Sequence, residues 1–313
     1  MTTSGSTNFS VSRNQVIIAA LQAIRVLGED ETPSSSAIGS ANILLNMLTK
    51  SFENYSKNVW KKSECTLFPQ MGQASYTLGG SSTDHATESF VQTTLSAAEA
   101  SGQTVLSVTS SSGMTAADYV GIVMDDGSTH WTTIVSVDSA IQITITTATD
   151  DDAASGNVVF AYTTKIFKPL KIYGIRRLEV SNDNETNIKE ISYNDYQKMP
   201  NKTTTATPMS YHYQRNNADG ILYVWQAPMD ASDVLKITYA SSFEDFDNTS
   251  DTPDFPQEWF RALYLGLACD LAHPYGKATG DAYIALKADY TNELRLALAF
   301  DVESTYVKMK PGR

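Results

Sequence analysis

Between Ser63 and Thr164 the chain has no lysine and no arginine. The same stretch carries eleven of the 35 acidic residues, leaving 24 acids against 23 bases elsewhere. The net charge of −12 therefore belongs to one block, and the rest is nearly neutral. Phosphate binding needs cations, so this block is excluded as a nucleic-acid grip. Cysteine is scarce too. Cys65 and Cys269 lie far apart and neither sits in a C-x-x-C pair, so two buried free thiols in a reducing compartment are expected. The histidines His85, His130, His212 and His273 are scattered, with no second ligand at metal spacing. H-E-x-x-H, Walker-type and G-x-S-x-G signatures are missing. No metal site, no cofactor and no catalytic residue is expected. The opening "MTTSGSTNFSVSRNQ" lacks a basic segment before an apolar core, so no secretory signal is expected. No run approaches the roughly 20 apolar residues of a membrane span.

What is present begins with helix signals. Ser12 and Gln15 form a capping-box pattern. Val16, Ile17, Ala20, Leu21, Ile24 and Leu27 follow at helical spacing up to Gly28. Thr32-Pro33 reads as an N-cap followed by a first-turn proline. Ile38, Ala41, Leu44, Leu45, Leu48 and Phe52 then make the inner face of a second helix. The short loop between the two predicts an antiparallel hairpin.

From Val59 to Leu78 the period changes to that of short strands. Asp84 to Thr164 reads as an all-β module of a small sandwich or barrel type, with Asp125-Asp126-Gly127 as a hairpin turn. His130 falls on one of its strands at a face edge. The Asp125-Asp126-Gly127 and Asp150-Asp151-Asp152 runs offer oxygens of the kind Ca²⁺ takes. They lack the EF-hand spacing and its closing glutamate, and solvated turns are the plainer reading. After Phe167, mixed strands return. Tyr211, Tyr213, Tyr223 and Trp225 near Asp219 make a candidate sugar-binding or glycosidase cleft. No carboxylate pair is fixed by spacing there, and ordinary sheet packing is the plainer reading.

"FPQEWFRALYLGLACDLAHPYG", Phe255 to Gly276, is apolar nearly all round, where a surface helix shows one stripe of about 100°. More than its own hairpin is expected to cover it. Asp281–Phe300 reads as a further helix, and "STYVKMKPGR" as a basic extended tail.

The order of these segments resembles the head-to-tail adaptors of short-tailed bacteriophages, also called tail accessory factors, head completion proteins or tail tubular protein A. The resemblance is carried by the Leu-Gly end of the first helix and by Leu45, Asn46, Met47 and Leu48. It continues through Trp60, Tyr76 to Leu78, the loop Tyr196, Pro200, Lys202 and Pro208, and the Pro-x-Glu-aromatic start of the last apolar helix. It covers about residues 12–80 and 165–300, and Ser81–Thr164 departs from it.

The resemblance implies an α+β fold. An α-helical bundle (N-terminal hairpin plus C-terminal helices) would join an antiparallel β-sheet, with an inserted small all-β domain. The expected boundaries are 1–80 and 165–303 for the adaptor core, 81–164 for the insert and 304–313 for the tail. The implied function is a structural virion connector and not an enzyme. It would be a homo-oligomeric ring, a dodecamer, docked on the portal protein and assembled in the bacterial host cytoplasm. It would extend the DNA channel without sequence-specific binding to the packaged dsDNA, help retain and later eject that DNA, and give tail nozzle, tubular or fibre proteins a platform. No membrane partner is implied. Trp259, Phe260 and Tyr264 are the expected subunit interface. Tyr306, Val307, Lys308, Met309, Lys310 and Arg313 are the expected portal contacts. The alternative is a cell-wall glycan-cleaving enzyme or a glycan-binding, adhesin-like module.

Overall fold

A computed structural model describes residues 5–55, 59–229, 231 and 233–300, the side chain of Val59 aside. The chain is α+β, with helices from its two ends and two β-sheets between them in sequence. It divides into two compact units. Met1–Lys61 joins Phe243–Arg313 in one, and Lys62–Ser242 forms the other.

The first unit holds α1 (Arg13–Ala23), α2 (Ser35–Phe52), α4 (Phe260–Ala272) and α5 (Gly280–Phe300), while the short α3 (Tyr193–Lys198) belongs to the second. Ser12 caps α1 as its sequence pattern requires. The Gln15 amide donates to Ser12 Oγ at 3.3 Å and the Ser12 amide to Gln15 Oε1 at 2.8 Å. The helix stops at Ala23, short of Leu27, because Arg25 turns left-handed at φ 56°. The cap of α2 is Ser34 and not Thr32, with the Ala37 amide on Ser34 Oγ at 3.2 Å.

Nine of the thirteen residues of α4 are buried. The neighbours are α1, α2 and α5, so three helices of its own unit cover an apolar surface that one hairpin could not. Gly266 shows how close they come, because a Cβ there would press on Tyr290 of α5 at 2.9 Å and Leu48 of α2 at 3.0 Å. Before α4, Phe52, Trp60, Phe243, Phe255 and Trp259 interlock. Ring centroids lie 5.5 Å apart for Phe52–Trp259, 5.0 Å for Trp60–Phe243 and 4.6 Å for Phe243–Phe255.

The second unit begins with β1 (Lys62–Leu67), β2 (Ser75–Leu78) and β3 (Ala86–Thr87). Next come β4 (Val91–Thr94), β5 (Val105–Ser107), β6 (Tyr119–Val123), β7 (Thr129–Ser139), β8 (Gln142–Ile145) and β9 (Val158–Tyr162). The chain then returns through β10 (Lys171–Glu179), β11 (Asn184–Glu190), β12 (Ser210–Arg215), β13 (Gly220–Trp225) and β14 (Asp233–Ala240). One sheet has the order β2-β13-β12-β11-β10-β14-β1-β3. The other, β4-β9-β6-β7-β8-β5, nearly closes on itself, since the Leu95–Val108 bridge ties its two ends.

The closed sheet has its own core, which includes Leu106, Ile122, Ile143 and Val159. Phe68 and Val234 of the larger sheet's segments pack in one cluster with Phe160 and Tyr162 of β9, so the two sheets share apolar surface.

Candidate functional site

Three strands at one end of the larger sheet, β2, β13 and β12, have one face turned to the core and one turned away. Along β13, Leu222 and Val224 are buried, while Ile221, Tyr223 and Trp225 are half-buried. The register places His212 opposite Tyr223, and Ser75 of β2 on its other side, with Thr77 opposite Ile221. Cross-strand partners share a face. The outward side therefore carries Ser75, Thr77, Ile221, Tyr223, Trp225, His212 and Gln214.

Helix α3 closes one end of this face. Ser192 caps it by accepting the Asp195 amide at 3.1 Å and donating to Asp195 Oδ2 at 2.8 Å. That cap sets Tyr193 and Tyr196 over the strands. Tyr193 lies 5.5 Å from His212 and 6.4 Å from Tyr223, and His212 stacks near-parallel on Tyr223 at 6.3 Å. Tyr196 is buried beneath, 5.0 Å from Tyr223, and burial pushes its hydroxyl above the ordinary tyrosine range. Tyr193 remains 44% exposed. His212 Nδ1 donates to the Ile191 carbonyl at 3.1 Å, so in the neutral ring Nε2 is the acceptor. The Trp225 indole donates to the Pro200 carbonyl at 3.3 Å.

The structure splits the aromatic group that the sequence suggested. Tyr223 and Trp225 face out, but Tyr211 and Tyr213 face the core. Tyr211 is 1% exposed, and burial lifts its hydroxyl to about 12. Tyr213 donates to the Pro169 carbonyl at 2.5 Å. Asp219 packs against Gly79, where a Cβ would collide with its carboxylate. Sequence reasoning missed His212 and Tyr193 as members of this face. The Ser192-x-x-Asp195 cap was the available signal for α3.

A second aromatic cluster sits where the two sheets share surface. His85 stacks on Trp131 at 3.8 Å and 6°, and its Nδ1 lies 2.6 Å from the Tyr162 hydroxyl. Burial, helped by Lys165, holds His85 neutral down to about 3. Phe68, Phe160 and Tyr162 of this cluster are buried, while His85, Tyr119 and Trp131 are half-buried.

His130 is 8% exposed and pairs with Asp150 at 2.9 Å, so it is a buried strand residue rather than one at a face edge. The acidic turns hold backbone. Asp126 accepts the Ser128 amide, Asp125 the Ala154 amide and Asp152 the Ser101 amide, each at 2.8 Å. Among the described residues no group of three or more His, Cys, Asp or Glu is placed to hold a metal. Both cysteines are buried and free.

In the helical unit, Trp259 is 2% exposed inside the aromatic knot, whereas Phe260 and Tyr264 are half-buried at its margin. Tyr306, Val307, Lys308, Met309, Lys310 and Arg313 lie outside the described residues. No described helix is long and apolar enough to cross a membrane.

No family model and no curated protein matches the chain. Among solved structures, the chain has a weak likeness to the Gp54 tailspike of Acinetobacter baumannii bacteriophage AP22 in complex with A. baumannii capsular saccharide. Identity is 19% and the TM-score 0.23, over 26% of this chain and 16% of that one. The chain thus spans a small part of that structure, and at this score the likeness itself supports no argument about the site. That structure is a bacteriophage tailspike and not a head-to-tail adaptor. The connector reading is corrected: no comparison backs portal docking, a DNA-ejection role, a dodecameric ring or the flat expectation that the chain is no enzyme, and these are dropped.

Proposed function

We propose that this chain binds saccharide on the outward face of β2, β13 and β12, as a tail component of a phage virion. The observation that carries the reading is the outward quartet Tyr193, His212, Tyr223 and Trp225, whose rings are held by packing and by the bonds to Ile191 and Pro200. A pyranose presents a face of C–H groups with slight positive charge. Aromatic rings present a negative face to it. Ser75, Thr77 and Gln214 border the rings on the same side and can exchange hydrogen bonds with sugar hydroxyls. Rigid rings lose little conformational freedom on binding, which is why such faces bind without large closure. The acidic balance of the chain weighs against a phosphate-rich ligand.

The test is a tryptophan fluorescence titration with bacterial capsular and cell-wall oligosaccharides, with released reducing ends followed in the same samples. The reading expects a saturable change that Tyr223→Ala weakens about tenfold, or about 1.4 kcal/mol, in a variant whose cooperative melt shows that it is still folded at the titration temperature. Saturable binding indifferent to both Tyr223→Ala and Tyr193→Ala would remove this face from the account.

A further inference from the structure

At the far ends of β10 and β14, Glu179 and Asp233 are direct cross-strand partners, and Arg177 is the partner of Leu235. Two carboxylates facing each other across a strand pair repel. Arg177 resolves this by bridging them, Nη1 to Asp233 at 2.6 Å and Nη2 to Glu179 at 2.5 Å. Asn182 adds a bond to Glu179 at 2.7 Å. All three ionic side chains keep some exposure, and they open on a concavity of about 230 Å³.

The other walls are stiff and apolar. They are Pro69, Pro208 and Pro228, over a floor of buried Leu235. Backbone bonds clamp these walls together, Gly72 to Pro228 at 2.8 Å and Ala206 to Ala227 at 2.9 Å. Ser181, Thr207 and the exposed Met229 form the rim.

The chemistry of the pocket is lopsided. Two carboxylates offer about eight lone-pair sites, and the bonds named above use three of them. Among its described lining residues the one cation, Arg177, is already engaged by both. The missing complement is therefore a ligand rich in hydrogen-bond donors, compact, and apolar on the side that meets proline and leucine. A neutral hexopyranoside ring has that profile. A sugar acid has the opposite charge requirement and would meet two fixed carboxylates. We infer that this pocket is a second saccharide site, selective for a neutral hexose unit over a uronic or sialic acid. The inference rests on the saccharide reading above but on different residues, on a different pair of strands.

The experiment uses the full chain with methyl-¹³C methionine, so that Met229 reports on the rim. Methyl β-galactoside and methyl galacturonate, sodium salt, are titrated as a pair of the same ring shape differing by one carboxylate. The galactoside is expected to shift the Met229 signal saturably, in the millimolar range typical of single sugars. The galacturonate should bind at least tenfold more weakly. Thr207→Trp, which fills the rim without touching the ion pairs, should abolish the shift, and Tyr223→Ala should leave it intact. Asp233→Asn, whose folding is checked by its melt, should narrow the preference against galacturonate. An unmoved Met229 signal, equal or stronger binding of galacturonate, or a response to a lysine amide in place of the galactoside would overturn the inference. A fluorescence response indifferent to Tyr223→Ala and Tyr193→Ala, with the Met229 shift retained, would overturn the outward face alone, so the two failures are distinguishable.

Discussion

Gly220 and Tyr213 meet on the inward side of the β12–β13 pair, where a Cβ on Gly220 would run into the Tyr213 ring and hydroxyl. Tyr213 cannot retreat, because its hydroxyl is fixed on Pro169. This contact helps hold the inward side in place, and therefore which side carries Tyr223. Gly220→Ala is expected to destabilise the chain by about 1–3 kcal/mol, the range for forced overpacking. An unchanged denaturation midpoint would show that the inward packing is looser than described.

Trp259 should be the most costly of the three aromatics around the start of α4. It is enclosed by Phe52, Trp60 and Phe255, and large-to-small changes of such residues cost about 3–5 kcal/mol. Phe260→Ala and Tyr264→Ala, at half-buried positions, should each cost clearly less. The ranking is read from urea melts of the three variants. Equal costs would mean that Trp259 is not enclosed as the structure shows.

The burial that gives α4 its character was legible only in part. Its all-round apolarity was plain in the residues, but an unbroken apolar surface does not say whether neighbours or other molecules cover it. The answer came from α5, whose pairing with α4 spans a break at Gly276–Gly280 that carries no register information. Ser12 and Gln15 marked α1 well, since a capping box is local. Helix α3 escaped notice because six residues contain no apolar repeat. The alternation on β12 and β13 was visible, yet tyrosine suits core and surface alike, so nothing local said that Tyr213 turns in and Tyr223 out. Strand order was beyond reach for the same reason. The pairing of β1 with β14 joins residues about 170 positions apart, and neither strand names its partner.

His85 makes stability depend on pH in a defined window. Its folded value, about 3, lies below the unfolded value of about 6.5. Between these two values the unfolded chain takes up a proton that the folded chain refuses. Stability should therefore be flat with respect to this group above pH 6.5. It should fall by about 1.4 kcal/mol per pH unit as pH drops from 6.5 toward 3. His85→Gln should remove that component, at the cost of the stacking on Trp131. The comparison is the slope of unfolding free energy between pH 7 and 5 in the two proteins. Parallel slopes would contradict a neutral, half-buried His85.

Arg177 should matter more than an exposed ion pair does. It is 14% exposed and holds two carboxylates that face each other. Arg177→Met should cost about 1–3 kcal/mol, below the full penalty of a buried pair because water reaches its partners. Adding Asp233→Asn to that variant should recover part of the loss by removing one of the opposed charges. A double-mutant cycle by urea melts checks this, and additive losses would show that the bridge carries no coupling.

The central claim is that sugar sits on the outward side of β13 and β12. It is tested most directly by an amide chemical-shift map of the full chain titrated with a capsular oligosaccharide that gives a saturable fluorescence response. The account predicts that Tyr193, His212, Tyr223 and Trp225 shift together along one saturation curve, while Trp259 and the other residues of the aromatic knot before α4 stay still. Shifts centred on the helical unit, with Tyr193, His212 and Tyr223 unmoved at saturation, would contradict it.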